Sequence, residues 1–207
     1  GTAAMESAVA NLTSPGEEVV VLNGGKFGER WLELAYAFGA RPVELKYPYG
    51  QGVEPAALDD CLARHPGAKV VFATQNESST AVLNDIEALA KVARAHGALL
   101  AVDAVSSLGG TPLPMDAWGV DVVVTGSQKC LMLPPGLAFV GIGPRAWQKA
   151  GEARGHRYYL DWKQYQKAAK SAESPYTSAV SLMYALDESL AMMEEEGAGA
   201  RFARHRL

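Results

Sequence analysis

Apolar residues along the first 143 positions follow two periods that alternate along the chain. Short runs rich in Val, Leu and Ala predict β-strands, and longer segments with apolar residues three and four positions apart predict amphipathic helices. The predicted strands cover residues 17–23, 41–47, 68–75, 98–104, 120–126 and 136–143. The predicted helices cover residues 4–13, 28–40, 54–65 and 85–96. Such alternation of strand and helix is typical of βαβ units.

Residues with strong positional preferences mark the ends of these helices. Gly39 predicts the end of the second helix, and Pro55 lies in the first turn of the third. Asn84 predicts the N-cap of the fourth helix, and Gly97 predicts its end. In the second helix the apolar residues share one face: Trp31, Leu34, Ala35 and Phe38.

Several predicted strands show almost no polar alternation, so we expect both of their faces to be buried. The sequence therefore predicts an α/β fold of three layers, with a mostly parallel sheet between helices. The pattern changes after Pro144. Residues 153–178 form an irregular, aromatic and basic stretch that predicts a crossing loop or short helices leaving the sheet. From Ser178 a helical period returns and could link to a second domain: Val180, Met183, Tyr184 and Leu190.

Charge and composition exclude several classes of function. The 207-residue chain has a formal charge of −4 and no cluster of Lys and Arg, and both features argue against binding to nucleic acid. Cys61 and Cys130 cannot build a disulfide framework, which indicates a reducing, cytoplasmic compartment. No apolar run reaches the roughly 18 residues needed to cross a membrane. The four histidines have no metal-ligand spacing, so no metal site is predicted. Both ends lie within helical patterns, so we expect the interior of a longer protein.

Residues that directly follow the strands are the candidates for a site, because ligands of a parallel sheet bind beyond the carboxyl ends of its strands. Asp103 follows one predicted strand, and Ser127, Gln128 and Lys129 follow another. The glycine spacing matches neither a dinucleotide-binding fingerprint nor a P-loop. Other candidates follow the first and third strands: Gly24, Gly25, Lys26, Phe27, Gln75, Asn76, Glu77, Ser78 and Ser79.

Lys129 lies between two apolar runs, so we expect its side chain to be buried. Burial lowers the pKa of a lysine, and the neutral amine can then form a Schiff base with a carbonyl group. An aspartate such as Asp103, placed at a pyridine nitrogen, would keep that nitrogen protonated. The pair matches the binding logic of pyridoxal phosphate.

A phosphate group could be held at the start of the first helix, where backbone N–H groups are free. Simpler interpretations of the same residues stay open. Thr2 is also a common helix cap, and Asp103 could simply turn the chain after its strand. Ser127 and Gln128 could be loop residues that satisfy their own backbone. The residues at the start of the helix are Gly1, Thr2 and Ala3.

Two stretches, VDAVSSLGG at 102–110 and GSQKCLMLPPGLA at 126–138, resemble the class V aminotransferases, which are fold-type I pyridoxal-phosphate enzymes. The resemblance is greatest to alanine–glyoxylate and serine–glyoxylate (serine–pyruvate) aminotransferases. It covers nearly the whole chain, and it implies that residues 1–177 form a large cofactor-binding domain, truncated at its N-terminus. Residues 178–207 would form a helix leading toward a largely missing C-terminal small domain. Further stretches fit in the same order: GTAAMES, NGGKFGERW, NESSTAVLNDIEALAKVARAHGALLAVD and YTSAVSLMYALDESL.

The resemblance implies a role for each residue that matches the family pattern. Lys129 would form the Schiff base with pyridoxal 5'-phosphate and move the substrate proton. Asp103 would pair with the pyridinium nitrogen. Phe27 would stack on the cofactor, and Val105 would pack on the inner side of its ring. Ser78 would bond the phenolic oxygen.

The resemblance also implies that residues of two subunits bind the cofactor phosphate. Tyr176 and Thr177 would reach the phosphate in the other subunit of a homodimer with shared active sites. The family's arginine for the substrate carboxylate would lie beyond residue 207. Within one subunit, the phosphate would be held by Gly1, Thr2, Ala3 and Gln128.

The implied reaction transfers an amino group from a small amino acid, alanine or serine, to a 2-oxo acid, glyoxylate or pyruvate. Three alternatives stay open. Cysteine desulfurases and related lyases share the fold, although they usually carry His where this chain has Gln128. Aminoethylphosphonate transaminases share the scaffold too. A non-catalytic relative would use the same domain for sensing or for binding a partner.

Overall fold

The computed structural model describes residues 1–206, and Leu207, the last residue of the predicted 178–207 segment, lies outside the described residues. Its strands agree closely with the predicted runs, apart from a short hairpin that the hydrophobic pattern did not reveal. That hairpin is formed by β4 and β5. In chain order the strands are β1 (Glu18–Asn23), β2 (Arg41–Lys46), β3 (Val70–Thr74), β4 (Asn76–Glu77), β5 (Val82–Leu83), β6 (Leu99–Asp103), β7 (Val122–Gly126) and β8 (Ala138–Ile142).

Six of these strands form one sheet, in the order β2-β1-β3-β6-β7-β8. Every pair is parallel except β7 and β8, so the predicted, mostly parallel sheet is confirmed. The apolar run at 136–143, on one side of Lys129, was also expected to form a buried strand, and that expectation is wrong. Because β8 lies at the edge of the sheet, its residues are half-buried or exposed, whereas every residue of β7 is buried.

Helices cover both faces of the sheet and form the two outer layers. Alternate strand residues divide between two cores: Val19 and Val21 pack with one, and Val20 and Leu22 with the other. The predicted three-layer arrangement is thereby confirmed. The helices are α1 (Thr2–Leu12), α2 (Lys26–Ala37), α3 (Pro55–Arg64), α4 (Ile86–Ala95), α5 (Met115–Trp118), α6 (Pro144–Glu152), α7 (Trp162–Ala169), α8 (Val180–Glu196) and α9 (Ala198–Arg204).

Most of the predicted helix ends are confirmed, with one exception. Gly39 and Gly97 follow α2 and α4 with φ of 75° and 69°, the left-handed conformation that favours glycine. The prediction that Asn84 caps α4 is wrong. Asp85 is the N-cap, and its carboxylate accepts a hydrogen bond from the Ala88 N–H. The Asn84 side chain instead bonds two backbone groups from other segments.

Beyond β8 the chain contains α6, which the sequence pattern had not revealed. The stretch 153–178, for which a crossing loop or short helices were predicted, contains one short α-helix, α7, between loops. The stretch does not leave the core entirely, because Trp162 on α7 is buried against the same core as α1. The predicted helix after Ser178 is confirmed as α8, but the apolar side chains that predicted it are exposed in the described chain. No helix within residues 1–206 has the length and apolar character of a membrane span.

Candidate active site

A cavity of about 230 Å³ lies at the carboxyl ends of the parallel strands, where the sequence predicted a site. Residues from α1, α2, the β4 segment and the loops after β6 and β7 surround it. Sequence reasoning had not singled out three of its lining residues, Met5, Arg30 and Ser106, and it had named a fourth, Asn76, as a candidate without a role. The predicted site residues that line it are Gly1, Thr2, Phe27, Ser78, Asp103, Val105, Gln128 and Lys129.

Asp103 is the last residue of β6, and it is 3% exposed. Its Oδ1 atom accepts a hydrogen bond from the Val105 N–H at 2.8 Å. Its Oδ2 atom accepts no hydrogen bond within residues 1–206, so that oxygen is available to a ligand. Burial raises the pKa of this carboxyl to about 6, the Val105 hydrogen bond opposes the rise, and the nearby Glu77 charge adds to it.

Lys129 follows β7 in a loop that is closed by Ser127. The buried Ser127 hydroxyl donates to the Pro134 carbonyl at 2.7 Å and accepts from the Leu137 N–H at 3.2 Å. The loop therefore has a fixed shape at both of its ends. The expectation that Lys129 is buried is wrong for the described chain: its side chain is exposed and lines the cavity.

Helix α1 begins directly at this cavity. Its first helical hydrogen bond runs from the Met5 N–H to the Gly1 carbonyl, so the N–H groups of Thr2 and Ala3 have no partner within the helix. Gly126 allows this approach, since a Cβ atom there would lie 2.8 Å from the Gly1 nitrogen and 3.0 Å from Gln128 Oε1. Gly126, at the end of β7, thus allows the first residues of α1 to lie close to the strand at the cavity.

Arg30 brings a positive charge to the same end of the cavity. Its Nη1 atom donates to the Thr2 hydroxyl at 3.2 Å, and its guanidinium carbon lies 5.0 Å from the centre of the Phe27 ring. Residues three positions apart on a helix share a face, so Phe27 alone could have indicated that Arg30 faces the site.

A chain of polar groups lines the opposite part of the site. The Ser78 hydroxyl donates to the Ser106 hydroxyl at 2.8 Å, and the Asn76 amide donates to the same oxygen at 2.9 Å. Ser106 in turn donates to the Asn76 carbonyl at 3.0 Å. Ser106 lies three residues after Asp103 in the same loop, and that position at the sheet edge was the available sequence signal.

Three of the predicted cofactor-binding residues do not line the cavity. Ala3 lies in the first turn of α1 with its side chain exposed. Tyr176 and Thr177 lie between α7 and α8, where the Tyr176 hydroxyl donates to the Tyr158 carbonyl at 3.0 Å. Across residues 1–206, no three His, Cys, Asp or Glu side chains are grouped so that they could hold a metal ion.

Comparison with known proteins shows clear relatives. The sequence profile of the family described as "Aminotransferase class-V" matches residues 1–206. The chain is 45% identical over 208 residues to a protein of Synechococcus sp. (strain PCC 6716) named "Soluble hydrogenase, small subunit", covering 99% of this chain and 54% of that protein. It is 39% identical over 209 residues to "L-aspartate–glyoxylate aminotransferase" of Paracoccus denitrificans (strain Pd 1222), covering 99% of this chain and 53% of that protein.

Solved structures give the same result for the fold. The crystal structure of an alanine–glyoxylate aminotransferase from Nostoc sp. superposes with a TM-score of 0.95 at 34% identity, covering 99% of this chain and 55% of that one. The chain spans about half the length of the curated relatives it matches. Its fold is that of the N-terminal portion of the fold-type I aminotransferases.

Proposed function

Because this chain belongs to the class V aminotransferase family, we propose that it forms the cofactor site of an enzyme that uses pyridoxal 5'-phosphate. The enzyme transfers the amino group of a small amino acid, alanine or serine, to a 2-oxo acid, glyoxylate or pyruvate. The names of two relatives pair an amino acid with glyoxylate in the same way. One observation carries the proposal: a lysine amine and a buried carboxylate with a free oxygen line one cavity, beside the start of a helix.

The phosphate group fits the end of the cavity where α1 begins. The positive end of the helix dipole and the free N–H groups of Thr2 and Ala3 favour an anion there. The Thr2 hydroxyl and the Arg30 guanidinium are already in contact at this point. Gln128 borders the same volume. Gly1 has no room for a side chain, since a Cβ atom would lie 2.7 Å from Val105 Cγ2.

The pyridine ring fits the part of the cavity that contains both the acid and the amine. Asp103 Oδ2, which accepts no hydrogen bond within residues 1–206, would accept one from the ring N–H, and a cation there would lower the raised pKa of the carboxyl so that it stays ionised. Phe27 and Val105 supply apolar contacts to the ring. Ser78 is placed in a network of hydroxyl donors for the phenolic oxygen.

The bound cofactor supplies a carbonyl carbon for the amino group and an electron-withdrawing ring that stabilises negative charge on the substrate α-carbon. The Lys129 amine holds the cofactor between turnovers and, once released, moves a proton away from that α-carbon. Asp103 keeps the proton on the ring nitrogen throughout. In the second half of the cycle Lys129 would return a proton to the α-carbon of the amino acid that forms from the 2-oxo acid.

The proposed enzyme also has a domain division and a homodimer interface, which involve residues outside the cavity. Residues 1–177 form the large domain, and residues 178–207 begin the connection to a small domain. Tyr176 and Thr177 complete the phosphate site of the other subunit of a homodimer.

The two cysteines bear on the desulfurase alternative. Cys61 lies in the core formed by α3 and α4, and burial raises the pKa of its thiol, which opposes formation of a nucleophilic thiolate. Cys130 adjoins Lys129, and its sulfur contacts the Ser106 carbonyl at 3.6 Å within the structured loop. Within residues 1–206, therefore, neither cysteine is placed as the mobile nucleophile that removal of sulfur requires.

The test is the absorbance of the purified protein with pyridoxal 5'-phosphate, compared with Lys129→Ala and with Lys91→Ala as a control on the exposed side of α4. We expect a yellow band in the wild type and in Lys91→Ala, and its loss in Lys129→Ala. Borohydride reduction should attach the cofactor to the peptide that contains Lys129. Removing the base should lower kcat for alanine or serine with glyoxylate by at least roughly 100-fold.

Each alternative gives a different result in these measurements. A wild type without the band, or a label on another lysine, would exclude the proposed site. A band that does not bleach with any amino acid indicates the non-catalytic relative. Release of sulfide from cysteine indicates the lyase, and bleaching by aminoethylphosphonate alone indicates that transaminase.

A further inference from the structure

Glu77 is a buried carboxylate beside the site that has no place in the reaction described above. It is 2% exposed, and it lies on β4 between two residues that line the cavity, Asn76 and Ser78. Glu77 itself does not line the cavity. A buried carboxylate is unfavourable unless several donors satisfy it, so its contacts indicate what it stabilises.

Those contacts are with the beginning of α2. Glu77 Oε2 accepts from the N–H groups of Phe27 at 3.0 Å and Gly28 at 3.1 Å. Glu77 Oε1 accepts from the hydroxyl and the N–H of Ser79, at 2.6 and 3.2 Å. The Ser79 hydroxyl oxygen accepts from the Lys26 N–H at 3.0 Å. Glu77 and Ser79 therefore satisfy three consecutive N–H groups of a helix whose own N-cap residue, Gly25, has no side chain to do so.

The same contacts require glycine on the helix side. A Cβ atom on Gly25 would lie 2.5 Å from Glu77 Cδ and 2.5 Å from Ser79 Oγ. Either side chain would have to leave its place. The stretch from Gly24 to Gly28 and the stretch from Asn76 to Ser79 are thus matched in shape as well as in hydrogen bonding. We call these contacts of Glu77 and Ser79 with α2 the Glu77 clamp.

The clamp joins two segments that each carry a residue of the cofactor site. The Phe27 N–H donates one of the clamp's hydrogen bonds, and Ser78 lies between the two clamp residues. We propose that Glu77 and Ser79 are positioning residues that fix Phe27 and Ser78 relative to each other before the cofactor binds. This inference rests on the function proposed above, and it assigns the clamp no contact with the cofactor.

The proposal predicts that loss of the clamp weakens cofactor binding through Phe27. In Glu77→Gln an NH₂ group, which can only donate, replaces one of the two accepting oxygens. The variant therefore loses the hydrogen bonds either from the Phe27 and Gly28 N–H groups or from Ser79. Ser79→Ala removes the acceptor for the Lys26 N–H and one donor to Glu77. Glu29→Gln is the matched control, because this carboxylate is in the first turn of the same helix but bonds the exposed side chains of Lys26 and Tyr49.

The experiment measures the dissociation constant of pyridoxal 5'-phosphate and the visible circular dichroism of the bound cofactor in the purified protein. We expect Glu77→Gln to weaken binding by roughly 10-fold or more and to reduce the dichroism, because hydrogen bonds to a buried charge are lost. Ser79→Ala should change both in the same direction by less. Glu29→Gln should match the wild type in both measurements.

A double-mutant cycle with Phe27→Leu separates positioning from general destabilisation. If the clamp acts through Phe27, Glu77→Gln adds little to the dichroism change already caused by Phe27→Leu. The inference would be overturned if the dichroism changes of Glu77→Gln and Phe27→Leu were additive. It would also be overturned if Glu77→Gln and Ser79→Ala folded and bound the cofactor as Glu29→Gln does, with the same dissociation constant and dichroism. If Glu77→Gln does not fold, Ser79→Ala decides alone. A wild type that binds no cofactor would instead refute the proposed function, and the inference with it.

Discussion

At the scale of single residues, Asp103 shows how the site lowers stability for the sake of binding. Its carboxyl is buried, and one oxygen has no hydrogen-bond partner within residues 1–206. Burial raises its pKa to about 6 from the ordinary value of 3.8. Because the folded state binds this proton more tightly than the unfolded state, stability without cofactor falls as pH rises from about 4 to about 6. Above pH 6 the loss is complete, at about 3 kcal/mol.

Asp103→Asn should therefore stabilise the cofactor-free protein in a manner that depends on pH. At pH 7.5 we expect the free energy of unfolding to rise by up to about 3 kcal/mol, because the amide is neutral and retains an oxygen for the Val105 N–H. At pH 4 we expect almost no difference. Urea unfolding at both pH values measures this, with the exposed Asp60→Asn as control. An equal gain at both pH values would contradict the account.

The sequence alone identified this acid and the lysine loop, because position after a parallel strand determines what can face a ligand. It could not determine how far Lys129 is covered, since burial depends on neighbours from other segments. Apolar flanks predicted a buried amine, whereas within residues 1–206 the Lys129 side chain is exposed and lines the cavity. Arg30 and Ser106 were missed although the helical spacing from Phe27 and the position after Asp103 were available signals. Their contacts with Thr2 and Ser78, from distant segments, are visible only in the structure.

At the scale of elements, the join between β3 and α4 depends on Asn84 more than on the helix cap. The Asn84 side chain accepts from the Val53 N–H at 3.0 Å and donates to the Thr74 carbonyl at 2.8 Å. These bonds connect the end of a central strand to the loop before α3. Asp85, beside it, provides only the exposed cap of α4.

We expect Asn84→Ala to lower the free energy of unfolding by about 2 to 4 kcal/mol, because two backbone groups lose their partner. Asp85→Ala should lower it by about 1 kcal/mol, the usual effect of losing an N-cap. Chemical denaturation of the two variants measures the difference, and each serves as the control for the other. Equal losses would mean that Asn84 acts as no more than a local cap.

Hydrophobic period predicted the long elements and failed for the short ones. All six strands of the sheet were located from their apolar runs, and the four inner strands left the continuous pattern of buried parallel strands: β1, β3, β6 and β7. The β4–β5 hairpin has two residues in each strand, which is too short to show a period, yet it carries Glu77. Asn84 was predicted as the cap in place of Asp85 because Asn and Asp have similar preferences for the N-cap position. Only the tertiary contacts of Asn84 distinguish the two residues.

At the scale of the whole molecule, distant parts of the chain support the helix that begins at the cavity. Trp162, on the first turn of α7, lies against α1, and its side chain is 4% exposed. Its indole N–H donates to the Ser7 hydroxyl at 3.1 Å, and its backbone N–H donates to Asn11 Oδ1 at 3.2 Å. The Trp147 ring packs edge-on against it, with centroids 6.0 Å apart. The segment after the sheet thus holds α1 against the core.

Trp162→Ala should accordingly destabilise the protein by about 3 to 5 kcal/mol, the usual range when a large buried aromatic side chain is removed. The cavity that it leaves lies between α1 and α6, and the Ser7 hydroxyl loses a donor. Tyr165→Ala, one turn later on the same helix, is the control, because that side chain is 40% exposed. We expect Tyr165→Ala to cost about 1 kcal/mol or less in the same urea titration. A similar loss in both variants would indicate that α7 contributes through its aromatic surface as a whole, and that the buried indole has no special part in fixing α1.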